Sequence, residues 1–563
     1  MSKKSPYSVV KVANVEDLAT GDAVEQFKFR KVGRRYGHAF IKRSDLLSID
    51  RAVGILLDKN ALLPADRSER EQLVMAAIDM QPLSLIVQAR RMGWQNKRKG
   101  FLAATGPVGD CGNRELALPS WMNDRQAVMQ ARKGNRRAWV RQVAERCLHS
   151  STATIVLCAA FAAPLLARRG MASFGINIYG ISKAGKTAAL LAGASVGGIG
   201  SESRLPNFRS SAAARGELCK GFNDQMLPLN EVGLLAGKKS AAYSLIRELI
   251  YQVSEGRDAT RHSQSKYATA ARLAEYHTIF VSNSEQSFDQ YASDAREKRD
   301  AGEYARCLDI RASVDGTRTI MDRCPTKMSK EDRAAWARKQ VIELRRACLA
   351  QHGIALPAYI EHLLGYREKL NLRIEKAEKA FLKGIEFQSL DGALQHMARN
   401  FGLLAAGGAL AIEADLLPIK EGDLFELLQD TFKRSISTIA LFQRPEEIVT
   451  QVIARHVNSS RIVTAGAKVD YSSDKVEGFV QRTEDGRRYT VKATAFRSWF
   501  GQRNDAVEAA LRYLSDHKLL SPRNSKTGTA VLKGSDWAIR GSRWPDGQHR
   551  RSIVLVRPSK TMR

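Results

Sequence analysis

Cysteine is scarce and unpatterned in this chain. There are seven, an odd number, with no CxxC pair and no Cys/His cluster at metal-ligand spacing. That pattern argues against a disulfide scaffold and a zinc module and fits reduced, cytosolic thiols. Long hydrophobic runs are missing too. The most apolar stretch, TIVLCAAFAAPLLA at 154–167, is shorter than the ~18 residues a bilayer span needs and contains Pro164. We expect a buried helix there and no membrane partner. The opening MSKKSPYSVVKVANVEDL has no apolar core of a secretory signal, so the expected location is cytoplasmic. Low-complexity tails are also lacking. With 563 residues, 44% of them hydrophobic, the chain can build roughly three or four packed domains.

Acidic residues are in deficit: 59 against 89 Lys and Arg, a net charge of +30. The excess is uneven. Residues 1–150 hold 27 basic and 15 acidic side chains, and residues 451–563 hold 22 and 10. The 300 residues between are close to balanced, with 40 and 34. Two basic flanks around a near-neutral centre point to a polyanionic partner, most simply nucleic acid; the competing explanation is charge for solubility alone.

The near-neutral centre contains one sharp motif. Residues 175–190 read GINIYGISKAGKTAAL, and Gly180, Ile181, Ser182, Lys183, Ala184, Gly185, Lys186 and Thr187 fit G-x-x-x-x-G-K-[ST]. An apolar, β-branched run precedes the octet and a helix-forming run follows it, the setting a phosphate-binding loop requires. Its glycines let backbone N–H groups approach phosphate oxygens. Lys186 would reach the β- and γ-phosphates, and Thr187 would ligate magnesium. The expected cofactors are therefore ATP and Mg²⁺.

Two further apolar runs are read as strands of the same parallel sheet. MLPLNEVG (226–233) places Glu231 where a water-activating carboxylate belongs, with Asn230 where such sites usually carry Asp. Asn230 could hold the metal only through water and brings no charge. HTIFVSNSE (277–285) ends near Asn283, a candidate for orienting the attacking water, with Glu285 a weaker one. Arg257, Arg306 and Arg399 are possible arginines for completing a neighbouring subunit's site.

Outside the centre, FKFRKV, HAFIKR and EREQLVMAAIDM alternate strand and helix character. QARRMGWQNKRKGFLAATG surrounds Trp94 with Arg90, Arg91, Lys97, Arg98 and Lys99. That patch is either a nucleic-acid contact or a core tryptophan with a solvated rim. Residues 327–440 read as mostly helical. In the tail, TAFRSWFGQ and DAVEAALRYLSDHKLL read as helices, and TAVLKG, SDWAIR and RSIVLVRP as short strands, an order that suggests a winged helix.

Taken in order, GNRRAWVRQVAERCLHSSTATIVLCAAFAAPLL, GINIYGISKAGKT, FNDQMLPLNEVG, HTIFVSNSE, AGEYARCLDIRA and MARNFGLLAAGGALA resemble the ATPases of domain-of-unknown-function family 927, grouped with superfamily II helicases and their inactivated derivatives. The resemblance covers roughly residues 85–440. It implies an α/β fold: a P-loop NTPase core of AAA+ type with a parallel sheet (136–325), a helical lid (326–450), a mixed α+β N-terminal domain (1–135) and a C-terminal winged helix (451–563). It also implies a hexameric, ATP-driven DNA translocase of a phage or mobile element, with Gly180 to Thr187 on nucleotide, Glu231 in catalysis and Asn283 as sensor. Asn230 departs from the pattern. This leaves two alternatives: an ATP-switched DNA-binding or loading protein with weak hydrolysis, and a DNA-binding initiator with a vestigial nucleotide site.

Overall fold

The structure is a computed structural model. It describes residues 5–18, 21–33, 35–82, 84–112, 115–119, 122, 129–208, 212–230, 239–257, 275–312, 318–325, 328–390, 392–439, 445–483, 486–500, 504–520 and 540–558. The chain divides into two compact units, Met1–Ser435 and Ile436–Arg563.

The first unit opens with a five-stranded mixed sheet. β1 (Val9–Asp17), β2 (Ala23–Arg30) and β3 (Tyr36–Lys42) form an antiparallel meander, and β4 (Ser84–Gln88) and β8 (Glu115–Ala117) add in parallel beyond β1. Between β3 and β4 lie α1 (Ile49–Asp58) and α2 (Arg67–Asp79), each started by a side-chain cap, Ser48 and Asp66. Three short antiparallel strands, β5 (Gly93–Gln95), β6 (Gly100–Ala103) and β7 (Gly106–Gly109), form a separate sheet.

That small sheet decides the question about Trp94. The residue is buried, its ring meets Phe101 edge-on at 5.2 Å, and its indole N–H donates to Pro164 O at 2.7 Å. Trp94 is therefore a core residue joining this sheet to the apolar helix. That helix is α3 (Ser151–Ala162), and its helical course continues past Pro164 to Arg169. Over Ser151–Arg169 it is long and apolar enough to cross a membrane, but 89% of its most apolar window is buried inside the protein. It is a core helix, as expected, although Pro164 does not interrupt it and it is longer than the sequence suggested.

The central sheet is four-stranded and wholly parallel. Its order is β10 (Gln225–Leu229), β11 (Thr278–Ser284), β9 (Phe174–Tyr179) and β12 (Cys307–Arg311). The three runs read as strands from sequence are its three adjacent members. α4 (Lys186–Gly197) follows β9 and packs with α3 against β10 and β11. The connections from β10 to β12 supply α5 (Lys239–Glu255), α6 (Phe288–Asp294) and α7 (Ala301–Arg306).

Residues beyond the sheet are helical as expected: α8 (Lys330–Ala350), α9 (Ala355–Gly365), α10 (Leu370–Lys383), α11 (Gly392–Glu413) and α12 (Glu421–Ser437). They are bound into the same compact unit as the sheet. Gly407 of α11 lies against the backbone of Ala162, and Gly408 against Leu424 and Cys158, so the absence of side chains lets α11 and α3 approach closely.

The second unit carries α13 (Pro445–Val457), β13 (Ile462–Thr464), β14 (Gly478–Thr483), β15 (Gly486–Lys492), α14 (Ala493–Trp499), α15 (Asn504–Asp516), β16 (Arg540–Arg543) and β17 (His549–Pro558). Its five strands are ordered β13-β14-β15-β17-β16. Phe496, Trp499, Val507, Leu511 and Leu514 of the two helices pack on Val491, Ile553 and Leu555 of the sheet. The two helices and the RSIVLVRP strand fall where expected; β16 shares only Arg540 with SDWAIR, and β13 to β15 were not foreseen. TAVLKG and all of SDWAIR but its last residue lie outside the described residues.

Candidate functional site

The octet sits where β9 runs out. Gly180 and Gly185 take φ of +153° and +99°, and Lys183 takes +61°, so the chain turns back through left-handed conformations before α4 begins at Lys186. Gly185 has a second constraint: a Cβ there would press on Val341 of α8 and on Ile320. Ile181, Ser182 and Lys183 form the exposed crest of the turn, while Ala184, Gly185 and Lys186 are buried. Gly180 N–H donates to Ser284 O, and Ile320 N–H to Ala184 O, fixing both ends of the turn. No side chain caps the first turn of α4. Its leading N–H groups are therefore presented by the loop itself, the arrangement that attracts anions.

Lys186 folds back over the loop. Its ammonium donates to Gly180 O at 2.7 Å and to Ile181 O at 2.8 Å. Burial lowers its pKa from the ordinary lysine value, and Glu285 partly offsets that. Both acceptors are neutral carbonyls, so a phosphate oxygen would be the stronger partner for this charge.

Beside the loop, three polar side chains from three segments join. Asn283 of β11 donates from Nδ2 to Thr187 Oγ1 at 3.2 Å and to Asn230 Oδ1 at 3.0 Å. Asn283 itself is 3% exposed. β11 lies between β9 and β10, so sheet order places Asn283 between the threonine and the asparagine. Asn230 is anchored by its backbone, which accepts from Phe208 N–H and donates to Pro206 O. Glu231, the expected water-activating group, lies outside the described residues. Glu285 is exposed one residue beyond β11.

The three candidate arginines engage other groups. Arg257 pairs with Glu275 at 3.5 Å, Arg306 lies over the Tyr251 ring, and Arg399 over the Phe387 ring. Among the described residues no group of three or more His, Cys, Asp or Glu could hold a metal. The oxygen donors joined through Asn283 are the Thr187 hydroxyl and the Asn230 amide, both hard and uncharged, with the Glu285 carboxylate nearby on the Lys186 side; the first two suit magnesium already carried by phosphates rather than a free ion.

Sequence reasoning missed the polar interior beneath the site. In one register row, Ser282, Asn177 and Asp309 face across β11, β9 and β12. Asn177 donates to Asp309 Oδ1 and accepts from Ser282 and Ser284. Asp309 also accepts from Phe288 N–H and from the buried Arg299 guanidinium, each at 2.9 Å. Burial opposes the Arg299 charge, but Asp309 and its neighbours outweigh this and hold the group above its ordinary range. Glu303 lies within reach of Arg299, Arg247 and the Tyr243 hydroxyl, and the last two belong to α5. No local motif marks these residues; isolated charges in CLDIR and EKRDAGEYAR were the only signal.

Comparison with known proteins follows the same outline. Residues 5–272, just under half of the chain, match the family described as "Domain of unknown function (DUF927)". The match reaches the N-terminal sheet, which our reading of the resemblance had left out, and stops before β11. No curated protein matches the chain. A solved structure described as "SCCmec type IV Cch - active helicase" aligns over 93% of this chain and 92% of its own, with a TM-score of 0.52 at 15% identity. At that identity the likeness shows a shared fold. A second, "The A form apo structure of NrS-1 C terminal region-CTR", aligns over 71% of this chain and 87% of its own, with a TM-score of 0.23 at 10% identity, too low to bear on the fold.

Proposed function

We propose that the chain is an ATP-driven DNA translocase of helicase type, working as a ring of identical subunits, hexameric by the resemblance above, in a phage or mobile element. The observation carrying this reading is the Thr187–Asn283–Asn230 hydrogen-bonded series beside a glycine turn that opens a helix. A fold shared with a protein described as an active helicase supports it. In this reading the Gly180–Thr187 segment is a P-loop, 136–325 the ATPase core, 326–450 its lid and 451–563 a winged helix on DNA.

The residues divide the work. Loop amides and Lys186 would hold the β- and γ-phosphates, with Lys186 giving up its two carbonyl partners for phosphate oxygens. Bound Mg²⁺–ATP would supply the transferable phosphoryl group and the cation that neutralises it. Thr187 would ligate the metal directly, and Asn230 through a water. Glu231 takes the proton of the attacking water, and Asn283 orients Thr187 and Asn230 relative to each other.

A second reading rests on Asn230. Its Oδ1 accepts a hydrogen bond but adds no charge, so metal is held less firmly and the protein acts as an ATP-switched DNA-binding or loading factor with slow hydrolysis. The deciding assay measures ATP turnover with and without single-stranded DNA for wild type, Lys186→Ala, Glu231→Gln and Asn230→Asp, with sizing in ATP. The motor reading requires DNA-stimulated turnover lost in the first two variants. A wild type that binds ATP but turns over only as Asn230→Asp establishes the switch. No nucleotide binding at all removes both.

A further inference from the structure

The N-terminal sheet has one covered face and one that is partly open. On the covered face Phe27, Phe29, Ala39 and Ile41 pack with Ala52, Leu56, Val74 and Ala77 of α1 and α2. Strand alternation turns Tyr36, His38, Phe40 and Lys42 of β3 the other way, and antiparallel pairing sets Arg30, Lys28 and Gln26 of β2 directly beside the first three. Two aromatic rings there stand in solvent: Tyr36 is 61% exposed and Phe40 49%. They are four residues apart on one strand, hence about 13 Å. The Lys28 ammonium lies 5.0 Å from the centroid of the Tyr36 ring.

The segment that builds this face carries charge of one sign. From Lys28 to Arg43 the sequence holds seven Lys and Arg and no acidic residue. Lys42 and Arg43 are matched by Asp22 and Glu25 from elsewhere in the sheet. The other end of the strand pair carries Lys28, Arg30, Lys31 and Arg35 around Tyr36. An apolar protein partner would have to desolvate these cations. A nucleic-acid single strand satisfies both features, because its bases stack on exposed rings while its phosphates meet the cations. A duplex hides its base faces and could use only the cations.

We infer that the open face of the N-terminal sheet is a platform for single-stranded DNA, with Tyr36 and Phe40 stacking bases and Lys28 and Arg30 contacting phosphates. The choice of DNA rests on the function proposed above; the platform does not need ATP turnover.

The test is fluorescence anisotropy on the full chain without nucleotide, using labelled oligothymidine and a mixed-sequence duplex of equal length. Tyr36→Ala and Phe40→Ala should each weaken single-strand binding roughly 5- to 50-fold while duplex affinity stays within about twofold. Tyr36→Phe and Phe40→Tyr should retain single-strand affinity. Lys28→Ala should lower the slope of log affinity against log salt by about 0.7. Thermal melting verifies that each variant folds, and the salt slope of Lys28→Ala is an independent measurement if an aromatic variant does not. Unchanged single-strand affinity in the folded Tyr36→Ala/Phe40→Ala double variant overturns the platform, as does equal loss on both DNAs. Loss of oligothymidine binding in a chain lacking ATPase activity upholds the platform and removes the motor. DNA-stimulated ATPase with unaltered binding in the double variant does the reverse.

Discussion

Replacing Asn283 by alanine asks whether the three polar side chains beside the loop form a working part or merely finish a strand. The Asn283 amide makes two hydrogen bonds, at 3.2 Å to Thr187 and 3.0 Å to Asn230. Each is worth about 1 kcal/mol net. Thr187 and Asn230 are half-buried, so water can replace part of what they lose. Stability should therefore fall by about 1–2 kcal/mol, measured by urea unfolding of variant and wild type in parallel. The functional effect should be larger and of a distinct kind. The loop amides and Lys186 are untouched, so under the proposed function KM for ATP should stay within about threefold. Turnover, which on the proposed function depends on Thr187 and the end of β10 being held in one arrangement, should drop about 10- to 100-fold, or about 1.4–2.8 kcal/mol of activation free energy. Asn283→Asp has nearly the same shape but presents an acceptor to Asn230 Oδ1, and should not rescue. A double-mutant cycle with Asn230→Ala should return about 1 kcal/mol of coupling. Unchanged kcat alongside the stability loss would refute the orienting role, and so would a raised KM at constant kcat.

Three other perturbations follow from the same geometry. Burial pushes the Asp224 pKa up to about 6 against the Trp94 N–H, Arg91 and Arg98, so the folded chain holds this proton more tightly than the unfolded one; its contribution is full below about pH 4 and lost as pH rises through 6, and stability relative to Asp224→Asn should fall by about 3 kcal/mol between those limits in urea titrations. Arg299→Met leaves Asp309 and Glu303 buried without their shared cation and should cost about 3–5 kcal/mol in the same assay, with Arg299→Lys recovering only part because one ammonium cannot reproduce the fork that also reaches Cys307 O. Gly185→Ala forces a side chain into a left-handed φ and against Val341, so binding of a fluorescent ATP analogue should weaken at least about tenfold.

Much of the centre was legible because its signals are local. GINIY, MLPL and HTIFVSN are short apolar runs that end in polar residues, and each is a strand of one parallel sheet. The octet's glycines have the positive φ that only their residue type adopts freely. The buried helix at 154–167 was read correctly but not for the reasons given, since the helix runs through Pro164 and is long enough to span; it is its burial that marks it as core. What escaped depends on distant pairing. VVKVANVED became β1 through a bulge against β2 between Lys11 and Ala13, where the alternation breaks. GFVQRT and GRRYTVK do not alternate cleanly, since Arg487 and Arg488 are neighbours and fall on opposite faces, so they do not read as strands alone; β17 completes their sheet from sixty or more residues away. Trp94 could not be assigned from its basic neighbours because its partners, Pro164 and Asp224, are remote in sequence.

The polar row beneath the site has a consequence for geometry. Strands buried on both faces of a parallel sheet are usually near-continuous in apolar residues, and little then opposes a slip by one residue. Here Ser282, Asn177 and Asp309 occupy the same rung of three adjacent strands and satisfy one another, with Arg299 and Phe288 N–H completing Asp309. A slip of β9 would strand the Asn177 amide among apolar neighbours and leave the Asp309 carboxylate short of a partner, each costing about 1–3 kcal/mol or more. The row thus fixes where β9 releases the chain into Gly180 relative to where β11 presents Asn283, one rung higher. Polar residues that look misplaced in a core set the register, and through it the distance between the glycine turn at Gly180 and Asn283 beside it.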